Sequence, residues 1–394
     1  LTALDVSANT ALTKLKCQTN QLTYLNMKNG VTDGLTDFFA AGNSLTCIAT
    51  LDPDYATENW TYENGNIDEG VTFSVDCTPE GYTFVPDDNF EQALIDLGYD
   101  DTLDNFVATD SISGVTSLYV DSMSIGNLTG IEDFSALTML GCWSNQLTTV
   151  DVSNNTLLYY LHVGTNQLTA LDVSSNTALT TLYVGNNSLD GLDLSSNTAL
   201  EILGCWNNEL TALIVSANTA LIRLQCQGNQ LTSLDLSNNT SLNRLDCSGN
   251  ALTVLDLSAN TALTDLRCAH NDLTSLDLSN NTALGILYCY HNALTALDVS
   301  ANTSLAYFGT ENNNITSLDV SANTSLEELR CHSNQLTYLN MRNGVTDQLT
   351  TFNATNNSLD CIEVNAEDVD YATTNWTNEN GNIDDGVIFG GSCS

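Results

Sequence analysis

Basic side chains are nearly missing from this chain: 8 lysines and arginines face 48 aspartates and glutamates, a formal net charge of −40 over 394 residues. A field of that sign repels phosphate backbones and anionic lipid, so nucleic-acid binding is not expected. Long apolar runs are missing too. No stretch approaches the length that spans a bilayer, and the N-terminus lacks a charged-then-apolar leader, so membrane insertion is not expected either. No phosphate loop and no triad motif appears, and each acidic repeat looks like the next, so no carboxylate pair is singled out. We therefore expect no enzyme. No Cys-x-x-Cys or His–Cys spacing points to a resident metal or haem. Strong acidity often means disorder, but 42% of residues are apolar and recur on a fixed period, which argues for an ordered core.

That period is what the sequence has in abundance. Leu221-Ile222-Arg223-Leu224-Gln225-Cys226-Gln227-Gly228-Asn229-Gln230-Leu231 reads LxxLxCxxNxL. The continuation Leu231-Thr232-Ser233-Leu234-Asp235-Leu236-Ser237-Asn238-Asn239 reads LxxLxLxxN. Two half-repeats are thus nested in one 21-residue coil. Coils begin at Leu137, Leu158, Leu179, Leu200, Leu221, Leu242, Leu263, Leu284, Leu305 and Leu326, and the register then stretches by two residues to Leu349. Strand alternation sends Leu224 and Cys226 inward and Gln225 outward. Equivalent strands stacked at about 4.8 Å per coil build a parallel sheet. The same alternation in Leu234-Asp235-Leu236 predicts a second strand per coil. Asn229 and its equivalents form one inward column, and Asn239 and its equivalents a second, each suited to satisfying backbone groups where a coil turns its corner.

This pattern resembles the leucine-rich-repeat superfamily, and within it the bacterial nested 21-residue class called IRREKO, along nearly the whole chain. It also resembles arrays in secreted Bacteroidetes surface proteins. The resemblance implies an all-β dominated, parallel-sheet solenoid used as a recognition scaffold. The reading of the chain gives it two short strands per coil and one short helix in an N-terminal cap.

Asp54-Tyr55-Ala56-Thr57 through Phe73 recurs as Asp370-Tyr371-Ala372-Thr373 through Phe389, so the chain holds two C-terminal caps with Trp60 and Trp376 as expected lids. The expected organisation is residues 1–77 as the tail of an upstream array with its cap and 78–83 as a linker. A second array follows, with its N-terminal cap over 84–136, coils over 137–348 and a C-terminal cap over 349–394. Phe90, Ala93, Leu94 and Leu97 share one face of the expected cap helix, and Gly98 is its stop. Because Leu1 falls inside a repeat, a longer protein with tandem arrays is expected. Cys47 and Cys77, with Cys361 and Cys393 in the matching places, read as one disulfide per cap, which suits a secreted or cell-surface setting. Cys17, Cys142, Cys205, Cys226, Cys247, Cys268, Cys289 and Cys331 share an inward site with Val163, Val184 and Thr310, and the valines mark it as a place for small apolar fillers.

Positions that vary from coil to coil carry the candidate site. The outward sites of the first strand collect Trp143, Tyr160, His162, Tyr183, Trp206, Arg223, Arg244, Arg267, His270, Tyr288, Tyr290, His291, Tyr307, Arg330 and His332. All four histidines fall here, as do six of the eight basic residues when Lys14 and Lys16 are counted. Aromatic and arginine side chains anchor interfaces. The opposite site is monotonous, with Asp151, Asp172, Asp193, Ile214, Asp235, Asp256, Asp277, Asp298 and Asp319. Nearby hydroxyls are expected to satisfy these carboxylates. Calcium is a secondary candidate there and at Glu63–Asp68 and Glu379–Asp384, and no other cofactor is expected. The expected function is extracellular recognition or adhesion toward a polysaccharide or protein. The alternative is a self-assembling subunit of an extracellular filament or coat.

Overall fold

The computed structural model describes every residue except Asp76, Glu80 and Ser394; the expected linker therefore includes one residue, Glu80, outside the described set. The chain divides into two units, Leu1–Ser113 and Gly114–Ser394.

The second unit is the solenoid the period predicts. Twelve parallel strands form one sheet, running from Ser117–Tyr119 to Thr351–Asn353. Neighbours pair without slip, as in Leu203↔Leu224↔Leu245↔Leu266. Each strand is short because only its central leucine or phenylalanine must point inward, as Leu224 does. Leu221, Leu224, Cys226, Leu231, Leu234 and Leu236 are all buried within one coil. No coil could bury these columns alone, and stacking supplies the missing walls.

The first asparagine column does what the sequence suggests. Asn229 accepts from Leu210 N–H (3.1 Å) and donates from Nδ2 to the carbonyls of Cys205 (3.0 Å) and Cys226 (3.0 Å). The second column is one-sided. Asn239 Nδ2 donates to the Val215 and Asn218 carbonyls (3.0 and 2.9 Å), while its buried Oδ1 meets no protein donor.

One expectation needs correction. The second half-repeat forms strands only toward the end of this unit, at Ser317–Asp319, Tyr338–Asn340, Cys361–Glu363 and Ile388–Gly390. In the coils from Asp151 to Val299 the Leu-Asp-Leu segments are extended without a ladder. In these coils side-chain amides of the second asparagine column, and not a ladder, satisfy the Val or Leu carbonyls of the preceding coil. The aspartate also turns back on its own chain, as Asp235 Oδ1 accepts from Ser237 N–H (3.0 Å).

Before its last strand the unit carries a helix, Val369–Asn375, followed by Trp376, which is buried 4.3 Å from Phe352. A disulfide joins Cys361 to Cys393.

The first unit repeats this end. Ala3–Asp5, Tyr24–Met27, Cys47–Thr50 and Thr72–Ser74 form a parallel sheet. Helix Pro53–Asn59 leads to Trp60, which stacks on Phe38 at 4.2 Å, and Cys47 is joined to Cys77. The same unit holds an antiparallel pair, Tyr82–Phe84 with Phe106–Ala108, whose Phe84 ring lies 4.1 Å from Tyr24. The expected helix spans Asp88–Asp96, started by Asp87, which accepts from Asn89 and Phe90 N–H, and stopped by Gly98 at φ +82°. Phe90, Ala93 and Leu94 are buried, but Leu97 is 45% exposed, because the last helical turn closes at Asp96 and Leu97 lies past it. The buried Glu91 accepts N–H bonds from Asp104, Asn105 and Phe106 and ties this helix to the strand beyond it. Burial pushes its carboxyl up to about 7.

Candidate functional site

The outward side chains of the twelve-stranded sheet fall into rows because the register never slips. Met139, Tyr160, Thr181, Ile202, Arg223, Arg244, Asp265, Ile286, Tyr307 and Glu328 form one row. Tyr119, His162, Tyr183, Gln225, Asp246, Arg267, Tyr288 and Arg330 fall on the next. Trp143, Trp206, Tyr290 and His332 follow just beyond the strands. His270 and His291 sit one residue further, at the corner, where both take positive φ (52° and 51°) in place of the glycines found at Gly228 and Gly249. Lys14 and Lys16 are elsewhere: they lie in the first unit, where both contact Asp37 (3.0 and 3.6 Å).

The rows divide into two differently furnished regions. From Tyr119 to Trp206 the contacts are between rings. Trp143 and His162 are nearly parallel at 6.1 Å, His162 meets Tyr183 at 5.3 Å, and Tyr183 meets Trp206 at 6.0 Å. Tyr160 stands edge-on to Tyr183 at 6.3 Å. Glycines make the floor beneath them. A Cβ on Gly185 or on Gly204 would fall inside the Trp206 indole, and one on Gly141 would fall 2.6 Å from the Tyr119 ring. Asp121 accepts from Trp143 N–H (2.9 Å), and burial holds its pKa above the usual carboxylate value. Burial pushes the His162 pKa down, opposed by the Asp121 charge.

From Arg223 onward the contacts are ionic. The buried Asp265 lies 3.4 Å from Arg244 and 3.0 Å from Arg267, and Arg267 also covers the Tyr288 ring at 5.6 Å. Glu328, buried as well, takes Arg330 at 3.2 Å and the Tyr288 hydroxyl at 3.3 Å. Tyr307 donates to Glu327 (2.9 Å). His270 and His291 stack at 4.4 Å beside Tyr290. Arg223 has no ion-pair partner among the described residues.

The opposite site is satisfied locally. Asp151, Asp172, Asp193, Asp256, Asp277, Asp298 and Asp319 each accept the N–H of the serine two residues on, as Asp235 does, and their pKa values lie below the ordinary one. Asp68 and Asp384, from the two oxygen-rich cap segments, each accept two backbone N–H bonds. Among the described residues no group of three or more His, Cys, Asp or Glu is placed to hold a metal ion. No helix among them is long and apolar enough to cross a membrane.

No family model matches the chain. Its structure is similar to the functional domain of InlJ from Listeria monocytogenes, described as including a cysteine ladder. The TM-score is 0.67 at 35% identity, over 72% of this chain and 68% of that one. The chain is an internalin-like bacterial leucine-rich-repeat protein. A 74-residue stretch, 18% of the chain, is 38% identical to internalin J of Listeria monocytogenes serotype 4b (strain F2365), and this match spans 8% of that protein's length. The internalin inlF from the same strain shares the fold, with a TM-score of 0.60 at 23% identity over 70% of this chain and 91% of that one.

This internalin-like chain has its own inward cysteine run, Cys205, Cys226, Cys247, Cys268 and Cys289, in consecutive coils. All five are buried, and burial pushes the Cys205 and Cys289 thiols up to about 12, so they serve as protonated fillers. Sequence reasoning did not pair Asp265 and Glu328 with the arginines, and it missed the glycines under the rings. The signal for the glycines was present: Gly141, Gly185, Gly204 and Gly309 occupy outward sites where other coils carry large side chains.

Proposed function

We propose that the outward face of the twelve-stranded sheet is the ligand-docking surface of a secreted or surface-displayed recognition and adhesion scaffold. Its ligand is a polysaccharide or a protein. One observation carries this reading: half-buried Trp, Tyr and Arg side chains are held at fixed register on the sheet, while the outward site of the reverse side is aspartate in every coil but that of Ile214. Such residues, presented on a rigid support, lose little freedom on binding. The nested 21-residue pattern supports placement in the IRREKO class beside secreted Bacteroidetes arrays, and the two cap disulfides suit an oxidising setting. The repeated cap supports two tandem arrays in this chain.

The test is a solid-phase panel of purified polysaccharides and purified surface proteins. A sheet variant, Trp206→Ala with Arg223→Ala, is expected to lose a bound ligand that a reverse-side variant, Asp235→Ala with Asp256→Ala, retains. Loss in the reverse-side variant alone would move the surface to the other side. The filament reading draws on the acidic column as a partner for the basic face. That attraction is reduced here, because Arg244, Arg267 and Arg330 already contact their own chain's carboxylates.

A further inference from the structure

The aromatic region of the sheet has features that narrow the ligand class. Trp206 lies down on the sheet: Gly185 lies beneath the pyrrole end of the indole, and Gly204 beneath the benzene end. With both ends at the height of a Cβ, one face of the ring covers the floor and the other faces outward. A ring so placed offers a surface to stack on, whereas an aromatic anchor for a protein partner projects into a pocket. Trp143, 41% exposed, lies nearly parallel to His162, and Tyr183 stands between His162 and Trp206, so the rings continue in one line.

Beside the rings runs a row of exposed hydrogen-bonding groups. Asn207 Nδ2 donates to Asn186 Oδ1 (2.8 Å), and Asn186 Nδ2 donates to Thr165 Oγ1 (3.3 Å). Each amide keeps a further proton for an outside acceptor. Flat apolar faces flanked by amides match a pyranose, whose C–H face is apolar and whose edge carries hydroxyls. Charge decides which pyranose. No lysine or arginine stands between Lys28 and Arg223, and Asp121 and His162 lie among the rings. A sulfated or uronic glycan would meet one arginine, Arg223, at the edge of the strip, in a chain of formal net charge −40.

The geometry points to the Trp143–Trp206 strip as a binding site for an uncharged glycan, one whose pyranose faces stack on these rings while its hydroxyls bond the Thr165–Asn207 row. This inference rests on the sheet being the docking surface and adds the chemistry of its occupant.

The experiment titrates the whole chain with cellohexaose, mannohexaose and maltohexaose, and with hexagalacturonate and a sulfated hexasaccharide. It reads tryptophan fluorescence and calorimetric heat. A neutral hexasaccharide is expected to bind with an affinity unchanged by added salt. Trp206→Ala is expected to weaken it about tenfold or more. Gly185→Ala is expected to do the same with every ring still present, because its methyl group displaces the indole. The reverse-side variant Asp235→Ala is expected to leave binding unchanged. Thermal melts confirm that each variant folds. Binding of the anionic oligosaccharides alone, weakening with salt, overturns the inference, and so does binding of no neutral oligosaccharide. If a purified protein ligand then binds in a Trp206-dependent way, the docking surface stands and only its chemistry was misassigned. If sheet variants alter no binding and reverse-side variants do, the docking surface itself falls.

Discussion

The two regions of the sheet have the same backbone, register and buried leucine column, yet they dispose of their outward side chains in opposite ways. Between Arg223 and Arg330 most polar groups are already paired: Asp265 and Glu328 are buried under the arginines and a tyrosine that contact them. Between Tyr119 and Trp206 the rings touch one another over glycine and keep a face free. The scaffold therefore fixes where a side chain stands, and its neighbours on the same strand and on adjacent coils decide whether it is satisfied internally or left for a ligand. The ionic region should thus contribute more to stability, and the aromatic region more to binding. Asp265→Ala tests this with the largest expected effect. It leaves Arg244 beside Arg223 and leaves Arg267 with Asp246, its partner across the ladder, in place of the closer Asp265. Removing one partner of a fully buried pair costs about 3–5 kcal/mol, while exposed pairs are worth about 0–1. With arginines about one-third exposed, we expect a loss of about 2 kcal/mol in denaturant unfolding. A loss within about 0.5 kcal/mol, the usual range for surface changes, would erase the contrast.

Trp206→Ala should sharpen the contrast from the other side. The ring is half-exposed, so its removal should cost about 1 kcal/mol of stability or less, well below the effect at Asp265. The regions also differ behind the sheet, in the inward column, which reads Cys142, Val163 and Val184 under the rings and runs as cysteine from Cys205 to Cys289. If that cysteine run is filler, Cys247→Val should cost less than about 1.5 kcal/mol, as volume-conserving core swaps do. Cys247→Ser should cost more, because it buries a hydroxyl in an apolar column. Equal losses for both would point to a role for the sulfur itself.

The coil, its leucine and cysteine columns and the first asparagine ladder were legible because each depends on residues one period apart. The second strand was not. Leu234-Asp235-Leu236 has the alternation of a strand, but alternation reports only which side chains turn inward, not whether two backbones come close enough to pair. Leu97 misled for a related reason: helical periodicity places it on the buried face, while Gly98 ends the helix before that face reaches it. Within the candidate site, the aromatic and basic residues were visible as outliers from the repeat. Their partners were not, because Asp265 and Glu328 are unremarkable in so acidic a chain; the register sets Asp265 against Arg244, while Arg267 and Arg330 meet Asp265 and Glu328 two residues away on their own strands. The glycine floor reads in sequence as missing side chains, and its role appears only once Trp206 is seen lying across it.

The smallest expected effect concerns His162, held between Trp143 and Tyr183. Burial lowers its pKa from the ordinary 6.5, and the Asp121 charge acts against that shift. A folded state that disfavours the proton binds fewer protons than the unfolded chain just below pH 6.5. The neutral imidazole's contribution is therefore complete above pH 6.5 and is lost as pH falls through the lowered folded value. Asp121→Asn removes the opposing charge, so the pKa of His162 should fall further, readable as an acid-ward shift of its imidazole resonance. The ionic region provides the control: His270, lowered by burial and by its neighbour His291, has no aspartate in that role and should keep its titration in the Asp121 variant. A rise at His162, or a matching shift at His270, would show that Asp121 does not act on the ring directly. The aromatic strip would then lose its one identified electrostatic partner.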